Sequence, residues 1–348
     1  MANAWLSAFP ATCKPFLSEV DELLSCNLSR IIAEGPSSVL TSTQNAQPAI
    51  MATSIMVLRV LEQEYGFNIN EKIDVTLGHS LGEFAALVAS GHMSYTDSLK
   101  MVRRRAEEMT RCSREASRRN KDAEYGMIAL VCEPQHLASL IETIHDFLSH
   151  GSPGTRDDSS FHRPPIEEVS LANINSKNQV VLSGVIERIE TLIVQLRQFG
   201  GHDARAVRLS TDTPFHSPLM APAVTTMRDI LSNTKITFPG AFPCVSNVSA
   251  RPFESEADLK DLLARECVET VRWWDSIKFL DQEWGVRRWI GLGPGKVGRN
   301  LVGKEVGIRG REGVRGGGVW GITEPREIEA ALKGLEETEY EVEDAEAR

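Results

Sequence analysis

Apolar residues recur at helical spacing over residues 17–33 (LSEVDELLSCNLSRIIA) and again over 47–64 (QPAIMATSIMVLRVLEQE), which predicts two core helices near the start of the chain. The pattern then changes. IDVTLGHS reads as a short buried strand ending in glycine, and LGEFAALVASG after it as a helix whose small residues allow close packing on a sheet. Ser94 and Asp97 stand at capping-box spacing and open the helix DSLKMVRRRAEEMTRC, with Leu99, Val102 and Met109 on its apolar face and an Arg/Glu face toward water.

Near Glu124 the style shifts to alternating short elements. YGMIALVC is a strand and HLASLIETIHDFL a helix; SHGSPGTRDDSSFHRPP, at 149–165, has the composition of a loop. VSLANINS and QVVLSG follow as two strands around a turn at Lys177 and Asn178, then the helix VIERIETLIVQLRQFG and the strand ARAVRLS. The order β-α-β-β-α-β is the ferredoxin-like pattern, so residues 125–209 are expected to form a small inserted subdomain between 1–124 and 210–333. Beyond Thr213 the pattern gives a helix after PFHSPLM, a strand around PCVSNV, a helix through Trp273, Trp274 and Phe279, and the strand VRRWIGL. Residues 334–348 are expected to fray as a solvated acidic tail.

Composition narrows the function classes. The 348 residues carry a formal net charge of −10, which argues against a broad nucleic-acid footprint. No apolar run approaches the roughly 18 to 20 residues that span a bilayer. The six cysteines are scattered, with no CxxC pair and no Cys/His spacing of a metal site, so neither a disulfide framework nor a structural zinc is expected.

The strongest local signal is Gly78-His79-Ser80-Leu81-Gly82, a GxSxG run between a predicted strand and a predicted helix, the context of a nucleophile elbow. Side chains at both glycine positions are expected to collide, and the helix start aims its positive end at the Ser80 hydroxyl. Eight histidines compete to be its base. His79 is adjacent and points away; His136, His145, His150, His162 and His202 fall in the inserted segment, and His92 follows a helix end. His216 ranks first because Pro214 and Pro218 fix the backbone around it, although no Asp is evidently placed to orient it. Arg103, Arg104 and Arg105 are consecutive, so at most one faces the core, and a solvated charge run is the ordinary reading of all three. Gly293-Pro294-Gly295-Lys296-Val297-Gly298 matches GxGxxG, but no βαβ unit or placed acidic residue is expected after it, which argues against a nucleotide loop.

Taken together, GHSLGE at 78–83, QPAI at 47–50, VRRRAEEM at 102–109, ANINSKNQVVLSG at 172–184, PFHSPLM at 214–220 and GPGKV at 293–297 resemble successive motifs of malonyl-CoA:acyl-carrier-protein transacylases, in family order. The resemblance covers nearly the whole chain and has the look of the fungal mitochondrial branch. It implies an α/β class with an α/β-hydrolase-like large subdomain and an inserted ferredoxin-like (βαββαβ) small subdomain. It also implies two-step transfer of malonyl from malonyl-CoA to the phosphopantetheine thiol of an acyl carrier protein, with Ser80 as nucleophile and His216 as base. Arg105 matches the family arginine that pairs with the malonyl carboxylate, and Gln47 a position lining the site. Glu266 matches the residue whose main-chain carbonyl orients the histidine, and Leu81 the residue giving an oxyanion N–H. Phe215 resembles the residue found in members that accept malonyl and crowd out an α-methyl group. No bound cofactor is implied. A monomer is expected, working in the mitochondrion or, failing that, the cytoplasm.

The chain also departs from the family. Members open with a strand and a GQGSQ-like loop whose glutamine supplies one main-chain N–H of the oxyanion hole, whereas this chain starts at Met1 about where that loop should have ended. The expectation is therefore a truncated chain lacking the first strand and half the oxyanion hole, a loss that typically slows such chemistry about 10² to 10³ fold. Rival readings are a freestanding acyltransferase of a polyketide synthase, a serine hydrolase, and a non-catalytic carrier-binding remnant. A basic docking surface for an acidic carrier is expected at Arg111, Arg114, Arg118, Arg119 and Lys121, or at Lys296, Arg299 and Lys304.

Overall fold

Pro10 needs no N–H in the first turn of a helix, and it opens the second of six helices that, among the described residues, precede any strand. These are α1 (Asn3–Ala8), α2 (Pro10–Leu24), α3 (Leu28–Glu34), α4 (Ser37–Leu40), α5 (Thr43–Tyr65) and α6 (Ile69–Lys72) in the computed structural model, which describes residues 2–121, 123–149, 168–307 and 317–346. The single helix expected over 17–33 is two. Ser25 turns left-handed with φ 50°, and the Asp21 carboxylate accepts the Ser29 N–H at 2.8 Å, satisfying the start of α3. The apolar spacing runs through the break because Val20, Leu28 and Ile32 are all buried.

The chain continues through β1 (Thr76–Leu77), α7 (Gly82–Ala89), α8 (Tyr95–Arg119), β2 (Tyr125–Val131), α9 (Leu137–Ser149), β3 (Val169–Ser176), β4 (Gln179–Val185), α10 (Ile186–Gln198) and β5 (Arg205–Arg208). It ends with α11 (Ala221–Ser232), β6 (Cys244–Val245), α12 (Glu256–Arg265), α13 (Trp273–Lys278), β7 (Arg288–Leu292), α14 (Val297–Val306), β8 (Gly318–Ile322) and α15 (Ile328–Glu346). The chain divides into two compact units: Met1–Ala106 with Thr234–Leu259 and Asp275–Arg348, and Glu107–Asn233 with Lys260–Trp274.

In the first unit α5 buries Met51, Met56, Val57, Val60 and Leu61, α7 buries Phe84 and Leu87, and the first half of α8 buries Leu99, Met101 and Val102. Burial of several side chains of this size, each worth about 1.5 to 3 kcal/mol, fixes where α7 starts. Ser94 caps α8 as expected, its Oγ accepting the Asp97 N–H at 3.0 Å. The strand expected over IDVTLGHS shrinks to half-buried Thr76 and Leu77, which pair in parallel with Cys244 and Val245. β7 and β8 form a second parallel pair. Thus the GPGKVG run is the turn from β7 into α14, and a helix and a parallel strand do follow it, contrary to the expectation; such short elements carry little periodic signal. Over the acidic end, expected to fray, α15 runs as helix to Glu346, in keeping with the helix preference of Glu and Ala, and Lys333 pairs with Glu337 one turn on.

In the second unit the four strands order as β3-β4-β2-β5, all antiparallel, the ferredoxin-like arrangement. Alternation along β2 decides its two faces: Ile128 and Leu130 pack with Leu140, Ile189 and Leu192 under α9 and α10, while Met127 and Ala129 pack with Ala172, Val181 and Phe215. The unit is wider than 125–209. Tyr125 and Val185 pack on Ala116 of α8, and Val271 exchanges hydrogen bonds with Ala172 and Ile174 at 2.8 and 3.0 Å, so chain on both sides of the insertion belongs to it. The loop expected at 149–165 lies outside the described residues from 150 onward, together with His150 and His162.

Candidate active site

Between β1 and α7 the backbone must reverse within five residues, and the steric burden falls on Gly78. A Cβ there would sit 2.0 Å from the Gly82 carbonyl carbon and oxygen and 2.5 Å from the Glu83 nitrogen. Gly82 is different: a Cβ on it would meet nothing within 4 Å, so only the first of the two glycines is sterically required. Ser80 stands half-buried at the turn with φ 49°, a left-handed conformation costing a non-glycine residue about 1 to 3 kcal/mol. The Leu81 N–H, at the N-terminus of α7, has no hydrogen-bond partner among the described residues, so it can still donate to an oxygen placed before it.

Asn247, which no sequence motif singled out, and Glu83, at the end of the GHSLGE run, hold this turn. Asn247, just after β6, accepts the Ser80 N–H at its Oδ1 (2.8 Å) and donates from Nδ2 to the Gly78 carbonyl (2.7 Å) and to Glu83 Oε2 (2.8 Å). Its own main-chain N–H donates to Glu83 Oε1 at 3.2 Å. Both side chains are buried, Glu83 completely.

Of the three consecutive arginines, Arg104 is exposed, and Arg103 is half-buried against the Gln44 carbonyl. Arg105 is only 1% exposed. Its Nη1 donates to Gln47 Oε1 at 2.7 Å, and its guanidinium lies 5.6 Å from the Phe84 ring centroid, one turn into the helix that begins at the elbow. The first unit thereby brings Arg105 and Gln47 together and ties them to α7. A buried guanidinium keeps its charge at any ordinary pH and presents a planar fork suited to a carboxylate.

In the second unit His216 also adopts the left-handed region, with φ 55°, and is buried. Its Nδ1 lies 2.8 Å from the main-chain carbonyl of Glu266, one residue past α12. A carbonyl can only accept, so Nδ1 carries the hydrogen and Nε2 is left as the basic nitrogen. The Glu266 carboxylate is 3.9 Å from Nε2. Ser170 Oγ donates to the His216 carbonyl at 2.9 Å, and Ser217 Oγ to the Pro214 carbonyl at 2.7 Å, fixing the loop that Pro214 and Pro218 stiffen. Phe215 lies against Met127, Ala129, Ala172 and Val181.

The competing His92 is a core residue, its Nδ1 2.8 Å from Ser90 Oγ, and burial holds its pKa below the usual histidine range. Among the docking candidates, Arg111 is engaged by Glu108 and Glu115 on its own helix, and Lys296 by Glu327 at 3.0 Å.

A strained serine at a strand-helix elbow in a two-unit α/β chain is the architecture of an acyl transferase, and the acyl transferase domain family matches residues 8–141. The malonyl CoA-acyl carrier protein transacylase of Bacillus subtilis (strain 168) is 34% identical over 93% of this chain and 89% of its own length. The protein of that name from Haemophilus influenzae is 28% identical over 86% of this chain and 85% of its own. The crystal structure of an acyl-carrier-protein S-malonyltransferase from Bartonella henselae superposes with a TM-score of 0.77 at 32% identity, covering 96% of this chain and 94% of that one. This chain belongs to the malonyl CoA-acyl carrier protein transacylase family.

Proposed function

We propose that this chain transfers malonyl from malonyl-CoA to the phosphopantetheine thiol of an acyl carrier protein, for fatty acid synthesis. Ser80 Oγ attacks the thioester carbonyl while His216 Nε2 takes its proton, and the Leu81 N–H stabilises the oxyanion that forms. The C–S bond breaks, coenzyme A leaves with the proton returned by His216, and a malonyl ester remains on Ser80. The carrier thiol then attacks that ester, giving its proton to His216, and Ser80 is released protonated. Arg105, steadied by Gln47, holds the malonyl carboxylate, and Phe215 beside the base crowds an α-methyl group.

The observation that carries this reading is Arg105: a guanidinium 1% exposed, bonded to Gln47 and stacked over a residue of the elbow helix. The planar fork of a buried guanidinium fits a carboxylate-bearing acyl group, whereas an acetyl group offers it no carboxylate to hold. The experiment is transfer to a purified carrier. With malonyl-CoA and the phosphopantetheinylated carrier, the chain should yield malonyl carrier and free coenzyme A in equal amounts. The carrier without its phosphopantetheine should yield none. Malonyl-CoA hydrolysis without carrier loading would favour a hydrolase instead.

The resemblance to the fungal mitochondrial branch supports a mitochondrial compartment, and we take the chain to work as a monomer. Fractionation of cells expressing the protein, and sedimentation of the purified chain, test these two points.

A further inference from the structure

Ser80 is held in a backbone conformation it would not adopt alone, and what holds it is a side chain 167 positions later in the sequence. We infer that Asn247 is the positioning residue of the elbow: it clamps the Ser80 N–H and the Gly78 carbonyl at once, and Glu83 in turn fixes the amide. This rests on Ser80 being the nucleophile, as proposed.

Three features separate this clamp from ordinary packing. All the bonding capacity of the Asn247 amide toward the turn is committed, with Oδ1 on the Ser80 N–H and Nδ2 shared between the Gly78 carbonyl and Glu83 Oε2, at 2.7 to 2.8 Å. The bonds fall on both sides of the strained residue, so they oppose its relaxation to a right-handed or extended conformation. They also divide the two N–H groups at the head of α7 by task. The Ser80 N–H is taken by Asn247 and cannot point at substrate, whereas the Leu81 N–H keeps no partner among the described residues. The clamp thus orients the Ser80 hydroxyl and presents the adjacent donor. Neither Asn247 nor Glu83 needs to touch the substrate.

The chemistry of the pair makes a specific swap possible. An Asp at 247 could accept the Ser80 N–H but could not donate to Gly78 or Glu83, and it would set a second carboxylate beside a fully buried one. Changing Glu83 to Gln alongside it reverses the direction of the bond between them, restoring one donor and one acceptor. Only the bond to the Gly78 carbonyl stays lost.

The test compares wild type, Asn247→Ala, Asn247→Asp and the double variant Asn247→Asp with Glu83→Gln. Readouts are the rate of malonyl-Ser80 formation over a range of malonyl-CoA concentrations, and deuterium uptake of the peptide covering residues 76–83. Asn247→Ala should slow the limiting rate about 10 to 100 fold with the half-saturating concentration changed less than about threefold, because Arg105 and Gln47 are untouched. Exchange in the elbow peptide should be about tenfold faster. Asn247→Asp should be slower still, and adding Glu83→Gln should recover at least about tenfold. Should Asn247→Ala fail to fold, the recovery in the double variant decides. Malonylation of Asn247→Ala within about twofold of wild type, unchanged exchange at the elbow, or no recovery in the double variant would each overturn the inference. Absence of malonylation in the wild type would count against the Ser80 reading alone, since the exchange measurement reads the clamp without any substrate.

Discussion

The Nδ1 hydrogen of His216 points at the main-chain carbonyl of Glu266, 2.8 Å away, so this histidine is oriented by backbone and not by the carboxylate of an Asp or Glu. The donor-acceptor logic matches that of an acid-oriented base: a fixed acceptor on one ring nitrogen leaves the other as the proton acceptor. The left-handed φ of 55° at His216 is held by Ser170 on its carbonyl and by the prolines on either side.

Because the acceptor is a main-chain atom, the side chain at 266 is dispensable for that bond. Glu266→Gln should form the malonyl adduct within about fivefold of wild type, whereas His216→Ala should lose about 10² to 10⁴ fold. Quenched time points read by intact mass check both. A loss in Glu266→Gln as deep as in His216→Ala would move the role to the carboxylate 3.9 Å from Nε2.

Arg105→Lys keeps a positive charge and removes the planar fork. Malonyl labelling should fall by about 10² fold while acetyl labelling from acetyl-CoA changes less than about threefold, collapsing the preference between them. Gln47→Ala should act in the same direction and more weakly, since it frees the 2.7 Å contact but leaves the guanidinium. Equal losses for both acyl groups would show that Arg105 supports the fold and does not select the substrate.

Glu327 offers a test of the first unit's stability apart from catalysis. Burial alone would push its carboxyl up, but donation from the Thr323 N–H and hydroxyl, Lys296 and the Glu324 N–H outweighs that and brings its pKa down from 4.5 to about 2. A lowered folded-state pKa stabilises the protein above the unfolded value, and this contribution fades as pH falls from about 4.5 toward 2. Glu327→Gln should therefore cost about 1 to 3 kcal/mol in urea unfolding at pH 7 and markedly less near pH 3. A penalty of the same size at both pH values would contradict the assignment.

How much of this was readable beforehand follows from the kind of signal each residue carries. The GHSLG run was legible because its neighbours are also diagnostic, a strand before and a helix after, and because Gly78 is sterically forced. The ferredoxin-like unit was legible from alternation: β2 shows Met127 and Ala129 to one side and Ile128 and Leu130 to the other. Arg105 could not be told from Arg103 and Arg104 by composition, since its burial depends on which face of α8 meets α5 and α7; only the resemblance singled it out. Asn247 was invisible, being an ordinary residue after a two-residue strand whose partners are 164 to 169 positions away. Glu266 acts through an atom every residue possesses, so its side chain announces nothing. The break at Ser25 was hidden because both α2 and α3 bury apolar residues in phase across it.

Whether Ser80 carries the acyl group is read from the intact mass of the chain after brief incubation with malonyl-CoA, beside Ser80→Ala. Wild type should acquire a single malonyl adduct, mapped to the peptide bearing Ser80, discharged by the thiol of an acyl carrier protein, and missing from the variant. A folded wild type that acquires no adduct, or an adduct that persists in Ser80→Ala, would rule out Ser80 as the nucleophile.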